Sequence, residues 1–461
     1  MIQQVPPEIL KIFPEKTDGV CLVGGAVRDL LLGRTPRDYD IAVRQCPRKI
    51  ARRIGKKTNG SVVEMGKAGQ NIIRVVSAAG IFDIAPIEGL SIGEDLLRRD
   101  FTVNAMAYDL NTRQLIDTTG GLGDLRRKKI RMVSERAFVK DPLRLLRTFR
   151  MAASLGFEID PQTLSAVGHH AHRIRESAGE RVRDELLKLF AAQVSFPCLV
   201  QMAESGLLYE IFPEMAPLSG CVQNQHHRFD VLEHTFRAFE HLENILNTGQ
   251  GIPPDIAGAV FPQADTARRA LLKYCILLHD VAKPLTRTSD KRGHIHFYGH
   301  EQKGADVVEK IAVRLRFSTR ETRFITAIVR HHLRPLHLFM ARKKNTLTRK
   351  GQVRFFMRCG TDTPLLLLHA IADNRAKKEV TGEPPFTAFA IELLRAYFSD
   401  HQPRQSEPPL LTGHDLIRVF GLKPSPLFKE LLNRVEEERL SGTLTSRQEA
   451  VRHVRNLLEC M

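Results

Sequence analysis

Short apolar runs broken by glycine-rich turns fill the first 130 residues, and helical periodicity takes over almost without interruption from Asp141 onward. In the first region Val20 to Val23, Tyr39 to Val43, Ile72 to Val76 and Ile81 to Ile84 read as strands, and Ala26 to Leu32 reads as a helix opening behind Gly24-Gly25. Two stretches rich in breakers read as linkers: Asn247 to Thr266, with Gly, Pro and Ala, and Phe398 to Pro409, with Pro403, Pro408 and Pro409. The pattern predicts four parts: a mixed α/β head over 1–135, a helical neck over 136–215, a helical body over 216–385 and a helical tail over 386–461.

Length alone excludes a single ordinary core. The longest apolar run, Pro364 to Ala372, falls well short of the roughly 20 residues that span a bilayer. The N-terminal Pro6, Pro7 and Glu8 do not resemble a signal peptide, so the expected location is cytoplasmic. Seven scattered cysteines without a CxxC argue against a disulfide framework or a thiolate zinc site. A net charge of +17 changes the picture more, because an excess of that size attracts polyanions, nucleic acid above all.

The densest chemistry is Leu22-Val-Gly24-Gly25-Ala-Val-Arg28-Asp, followed by Arg37-Asp38-Tyr-Asp40. Paired glycines after a strand let backbone approach an anion, and Arg28 adds a charged donor. Asp38 and Asp40, two apart in a strand, share one face. Such a pair suits a hard cation such as Mg²⁺, with Asp83 as candidate third carboxylate. The bland readings are a turn and a loop DxD. A dinucleotide fold is disfavoured because G-x-G-x-x-G is absent.

Together these residues resemble the first motif of the class II tRNA nucleotidyltransferase and poly(A) polymerase family. Asp95-Leu-Leu-Arg98-Arg99-Asp100-Phe-Thr-Val-Asn104-Ala resembles its next motif, which spacing alone would read as a polar turn before a strand. The resemblance implies that Asp38 and Asp40 hold Mg²⁺, with Asp83 assisting as a base. It further implies that Gly24, Gly25 and Arg28 contact the triphosphate, and that Arg99, Asp100 and Asn104 shape the ribose pocket. Asp141-Pro-Leu-Arg144 opens a helix on which Arg147 and Arg150 follow at intervals of three. By itself this is an N-cap and a solvated basic stripe. The resemblance makes Asp141 and Arg144 the readers of the incoming base, with Arg147 and Arg150 supporting the nucleotide. Lys140 departs from the family's acidic residue. Glu180 to Phe190 reads as an amphipathic structural helix with charge pairs.

Further on come Glu233-His234, His279-Asp280-Val-Ala-Lys283, His300-Glu301, His331-His332 and Asp373-Asn374. An isolated histidine is usually structural, but this order resembles the HD phosphohydrolase superfamily. It implies a divalent transition metal held by His234, His279, Asp280 and Asp373, with His300, His331 and His332 as candidates for a second ion or for substrate.

The expected fold is therefore α+β: a small mixed β-sheet head, an all-α neck, an HD-type body and a helical tail. The expected partners are a tRNA 3′ end held through phosphate contacts and CTP and/or ATP, with no membrane. Only eleven residues separate Asp83 from Asp95. That spacing is short for the family and resembles its C-adding branch. A-adding, CCA-adding and poly(A)-adding enzymes stay open, as do a phosphohydrolase with a degenerate head and a non-catalytic RNA-binding protein.

Overall fold

The computed structural model describes residues 7–13, 19–65, 72–223, 228–377 and 384–459. Pro6 and Cys460 lie outside the described residues. Two units emerge: one comprises 1–192 and 197–211, the other 193–196 and 212–461.

The first unit is built on a seven-stranded mixed sheet in the order β3-β4-β5-β2-β1-β6-β7. Its strands are β1 (Val20–Val23), β2 (Asp38–Val43), β3 (Ser61–Met65), β4 (Ile72–Ser77), β5 (Gly80–Pro86), β6 (Met106–Asp109) and β7 (Leu115–Asp117). The four side chains of β1 are all buried, which fits its place inside the sheet. Among the described strands of this sheet only β2 and β5 pair in parallel, and their register sets Asp40 opposite Asp83. β4 pairs with β5 antiparallel and sets Arg74 opposite Asp83. The strands at 61–65, 106–109 and 115–117 were not marked by the sequence pattern. β3 is an exposed edge with no buried face, and β7 is only three residues long.

Helix α1 (Gly25–Leu31) follows β1 directly, with Gly24 at φ 72° making the turn. After β5, residues 87–91 lead into α2 (Ile92–Leu96), capped by Ser91. A 3₁₀ turn over Thr102–Asn104 then precedes β6. The neck contributes α3 (Leu143–Leu155) and α4 (Gly179–Ala191), which pack on one another.

In the second unit, α5 (Val231–Thr248), α6 (Thr266–Leu278), α7 (His300–Arg314), α8 (Thr319–His331), α9 (Arg334–Lys343), α10 (Arg349–Cys359) and α11 (Thr363–Arg375) form the body. Residues 363–373 of α11 are all buried, so the apolar run 364–372 is a core helix. Among the described residues no helix is long and apolar enough to cross a membrane. The stretch 398–409 is not wholly a linker. A π turn over Tyr397–His401 runs into a short helix at Gln402–Gln405, because Tyr397 and His401 are buried with Phe356. The tail helices α12 (Gly413–Phe420), α13 (Pro426–Ser441) and α14 (Arg447–Glu459) close a small core of Leu411, Leu416, Leu431, Val435, Ala450 and Val454.

Candidate active site

In the head, strand pleating and the β1–α1 turn bring the chemistry to one end of the sheet. A Cβ on Gly24 would lie 2.9 Å from Nη1 of Arg99 and 3.2 Å from Oδ2 of Asp40, so only glycine lets these groups approach the backbone there. Asp38 and Asp40 are exposed, and among the described residues no ion pair holds either. Partial burial raises the Asp40 pKa; Arg99 and Arg147 oppose the rise, while Asp83 and Asp38 add to it. The three acids therefore feel one another, yet Asp83 is engaged elsewhere. Arg74 donates Nε to Oδ1 and Nη2 to Oδ2 of Asp83, both at 2.7 Å.

A second chain of contacts runs behind this. Arg28 donates Nη1 to Oδ1 of Asn104 at 2.6 Å, and Asn104 donates Nδ2 to Oδ1 of Asp100 at 3.1 Å. Oδ2 of Asp100 faces Nε of Arg147 at 2.9 Å. Burial alone would raise the Asp100 pKa, but Arg147 and the Asn104 and Phe101 donors outweigh it and hold the acid below the usual carboxylate range. Arg99 pairs with Asp95 at 3.1 Å, one helical turn away. Arg144 donates to the carbonyl of Arg98 at 3.0 Å. Asp141 is gripped by Arg181 of α4 at 3.0 and 3.3 Å. Arg150 is instead paired with Glu185 at 2.9 Å between α3 and α4, both largely buried.

The second unit gathers a buried histidine/aspartate cluster. Asp280 lies at its centre, with Oδ2 3.0 Å from Nε2 of His279 and 3.6 Å from Nε2 of His234. Asp373 reaches His234 at 2.9 Å and His279 at 3.5 Å. On the other side Oδ1 of Asp280 is 3.4 Å from Nε2 of His300 and 3.8 Å from Nε2 of His332. Backbone carbonyls of Ile276, Phe297 and Val329 bind Nδ1 of His279, His300 and His332 at 2.8, 2.7 and 2.6 Å. Those bonds fix each ring with Nε2 turned toward Asp280, as in metal-binding histidines. Nε2 of His279 and Oδ2 of Asp280 are both buried and face one another. Two such atoms 3.0 Å apart fit a cation. Lys283 supplies one positive charge, its Nζ 2.6 Å from Oδ2, and Gln223 accepts from the same ammonium at 2.6 Å. Burial alone would raise the Asp280 pKa, but His279 and Lys283 hold it well below the carboxylate range.

Comparison with known proteins follows the same division. The Poly A polymerase head domain matches residues 20–131, the probable RNA and SrmB-binding site of polymerase A matches 156–218, and the HD domain matches 231–375. An A-adding tRNA nucleotidyltransferase of Deinococcus radiodurans is 32% identical over 98% of this chain and 97% of its own. The chain belongs to the tRNA nucleotidyltransferase family. A CC-adding tRNA nucleotidyltransferase of Synechocystis is 30% identical, covering 99% of this chain and 96% of its own. In fold, this family member matches the Thermotoga maritima CCA-adding enzyme complexed with tRNA at a TM-score of 0.64 and 21% identity, over 99% of this chain and 97% of that one.

Within this nucleotidyltransferase, the sequence reading gave no site role to Arg74, Asp95, Arg181, Lys283 or His369. Arg74 had a signal, a lone cation inside the β-branched run Ile72-Ile-Arg-Val-Val. Arg181 had none, since its partner Asp141 is 40 residues away. His369 lies in α11 one turn before Asp373, with its ring 5.3 Å from that of His279. His331, by contrast, stands apart from the cluster and accepts from Nε of Arg334 at 3.0 Å.

Proposed function

We propose that the protein adds C residues to the 3′ end of tRNA in the cytoplasm, using CTP and releasing pyrophosphate. Asp38 and Asp40 would hold Mg²⁺, which when bound activates the attacking hydroxyl and stabilises the leaving oxygen. Gly24, Gly25 and Arg28 would take the triphosphate, with Arg99, Asp100 and Asn104 around the ribose and Arg147 bracing Asp100. Asp141 and Arg144 would face the base. Asp83, held at both oxygens by Arg74, would contribute its charge beside Asp40. Arg150 serves as a neck brace.

The observation that carries C addition is the link between β5 and α2. It is five residues long, 87–91, and tied down at several points. Glu88 N donates to Asp95 at 3.1 Å and Leu90 N to Glu94 at 2.9 Å. The Glu88 side chain pairs with Lys140 at 3.3 Å and Arg98 at 3.6 Å. A link so short and so pinned supports a pocket of one shape rather than one that switches from C to A. Lys140, the departure from the family pattern, thereby gains a role as an anchor.

The test is extension of tRNA lacking CCA with each labelled NTP and Mg²⁺. Addition of two C residues is expected. A single A added only after CC would move the chain to the A-adding branch, and long A tails would make it a poly(A) polymerase. No extension, with phosphate released from a nucleotide ester, would sink the transferase reading.

The geometry around Asp280 supports a second activity in the same chain, a metal-dependent phosphohydrolase. His234, His279, Asp280 and Asp373 would hold a divalent transition metal, and His300 and His332 with Asp280 a second.

A further inference from the structure

Between Arg334 and Cys359 the chain carries eight Lys and Arg residues and no Asp or Glu. These residues make α9 and α10, and a cavity of about 280 Å³ lies between the two helices. Its wall is Arg334, His337 and Leu338 from α9, with Gly351, Arg354, Phe355 and Arg358 from α10. On each helix those positions follow the i, i+3, i+4, i+7 spacing of a packing stripe. Leu338 and buried Phe355 are what such a stripe normally holds; three guanidinium groups are not.

A solvated basic face is the plain alternative, and several of the eight cations fit it. Arg342, Arg349, Lys350 and Arg354 each pair with a carboxylate, Glu392, Asp400, Glu438 and Glu437 in turn. Arg334 and Arg358 differ. Among the described residues no carboxylate pairs with either, although both line the cavity. Arg334 is half-buried, and its Nε donates to the His331 ring, which braces the guanidinium at the wall. Like charges brought together without a counter-charge leave a site that an anion completes.

We propose that this cavity is a site for a phosphoryl anion, held by Arg334 and Arg358, with His337 beside them and Arg354, already paired with Glu437, at its wall. Its volume lies just under the range of pockets that enclose a whole small ligand, about 300–1,000 Å³. A phosphoryl group fits with its remainder outside, as in an RNA phosphodiester or free phosphate. The RNA source rests on the tRNA reading above, whereas the phosphate chemistry does not.

The test uses the full chain and the double variant R334Q/R358Q. Binding of tRNA lacking CCA is followed against salt, and calorimetry is run with inorganic phosphate. Loss of one phosphate contact should lower the slope of log affinity against log salt by about one. The tRNA Kd should rise by about 10-fold, while kcat at saturating tRNA stays unchanged. R334K/R358K, which keeps both charges, should restore most of the affinity. If tRNA binding holds but phosphate heat disappears, the occupant is free phosphate. If neither tRNA nor phosphate binding changes in R334Q/R358Q, the site does not exist. Should the wild-type chain fail to bind tRNA at all, the phosphate arm still decides the question.

Discussion

Arg74 grips both carboxylate oxygens of Asp83, each at 2.7 Å, from the neighbouring antiparallel strand. A bidentate pair of this kind fixes orientation as well as charge. It holds Asp83 beside Asp40, its partner across the parallel β2–β5 pairing.

On the site roles proposed above, Arg74 is a positioning residue for nucleotidyl transfer. Arg74→Ala should lower kcat for CTP incorporation by about 10–100-fold, the rate equivalent of about 1.4–2.8 kcal/mol. Arg74→Lys should recover only part, because an ammonium lacks the planar fork that makes both bonds. Asp38→Asn and Asp40→Asn should each cost more than Arg74→Ala. Full activity in Arg74→Ala would show that Asp83 needs no holding.

Arg181 ties the neck helix α4 to Asp141, the residue proposed to face the base. Its removal should affect base choice before it affects stability, since Arg181 is half exposed. Arg181→Ala is expected to raise KM for CTP and reduce discrimination against UTP by about 10-fold, within the range expected when a positioned polar group loses its partner. Competition between labelled CTP and UTP measures this directly. An unchanged ratio would confine Arg181 to a structural part.

How much of this was legible depended on the range of the contact. Strands such as 20–23 and 38–43 announce themselves because burial writes an apolar run into local sequence. The edge strand 61–65 is exposed throughout and writes nothing. Motif residues Arg28, Asp100 and Asn104 were found, and the structure joins them in one network. Arg150 shows the opposite limit. The family resemblance gave it a duty shared with Arg147, yet Glu185, from another helix, claims it. The π turn at 397–401 was hidden by nearby prolines, and only tertiary burial of Tyr397 and His401 explains it.

Acid should loosen the head at a definite point. Burial by itself would raise the Asp124 pKa, but hydrogen bonds from Arg127, Thr102 and Arg131 more than offset this and lower it. The folded value thus lies below that of an unfolded Asp, about 3.9. Stabilisation from this acid is complete above that pH and is lost as pH falls through the folded value. Asp124→Asn should flatten the acid limb of head stability, read by hydrogen exchange in residues 102–131. An identical limb in the variant would remove Asp124 from the account.

Metal removal separates the two sites. Chelation followed by gel filtration should strip the Asp280 cluster, and refilling with Mn²⁺, Co²⁺ or Ni²⁺ should raise the melting temperature of the second unit by mass action. Asp280→Ala should abolish that rise and the bound metal counted by elemental analysis. CTP incorporation with added Mg²⁺ should persist in the same variant. Stoichiometric metal in Asp280→Ala would contradict the assignment.

A further buried charge pair in the second unit stands outside the Asp280 cluster. Lys273 meets Oε2 of Glu243 at 2.6 Å, and both side chains are almost fully buried. Glu243 also accepts from Ser195 N at 2.8 Å and Phe196 N at 3.1 Å. Burial pulls the Lys273 pKa down, against the pull of Glu243 upward. Removing the cation alone leaves a carboxylate in the interior, so Lys273→Met should cost about 3–5 kcal/mol. Adding Glu243→Gln removes the stranded charge, although its single amide oxygen keeps only one of the Ser195 and Phe196 N–H bonds, which go to different carboxylate oxygens. The double variant should recover part of the loss in urea unfolding of the second unit. If Lys273→Met/Glu243→Gln is no more stable than Lys273→Met, the cost arises from packing around the lysine stem rather than from an unpaired charge.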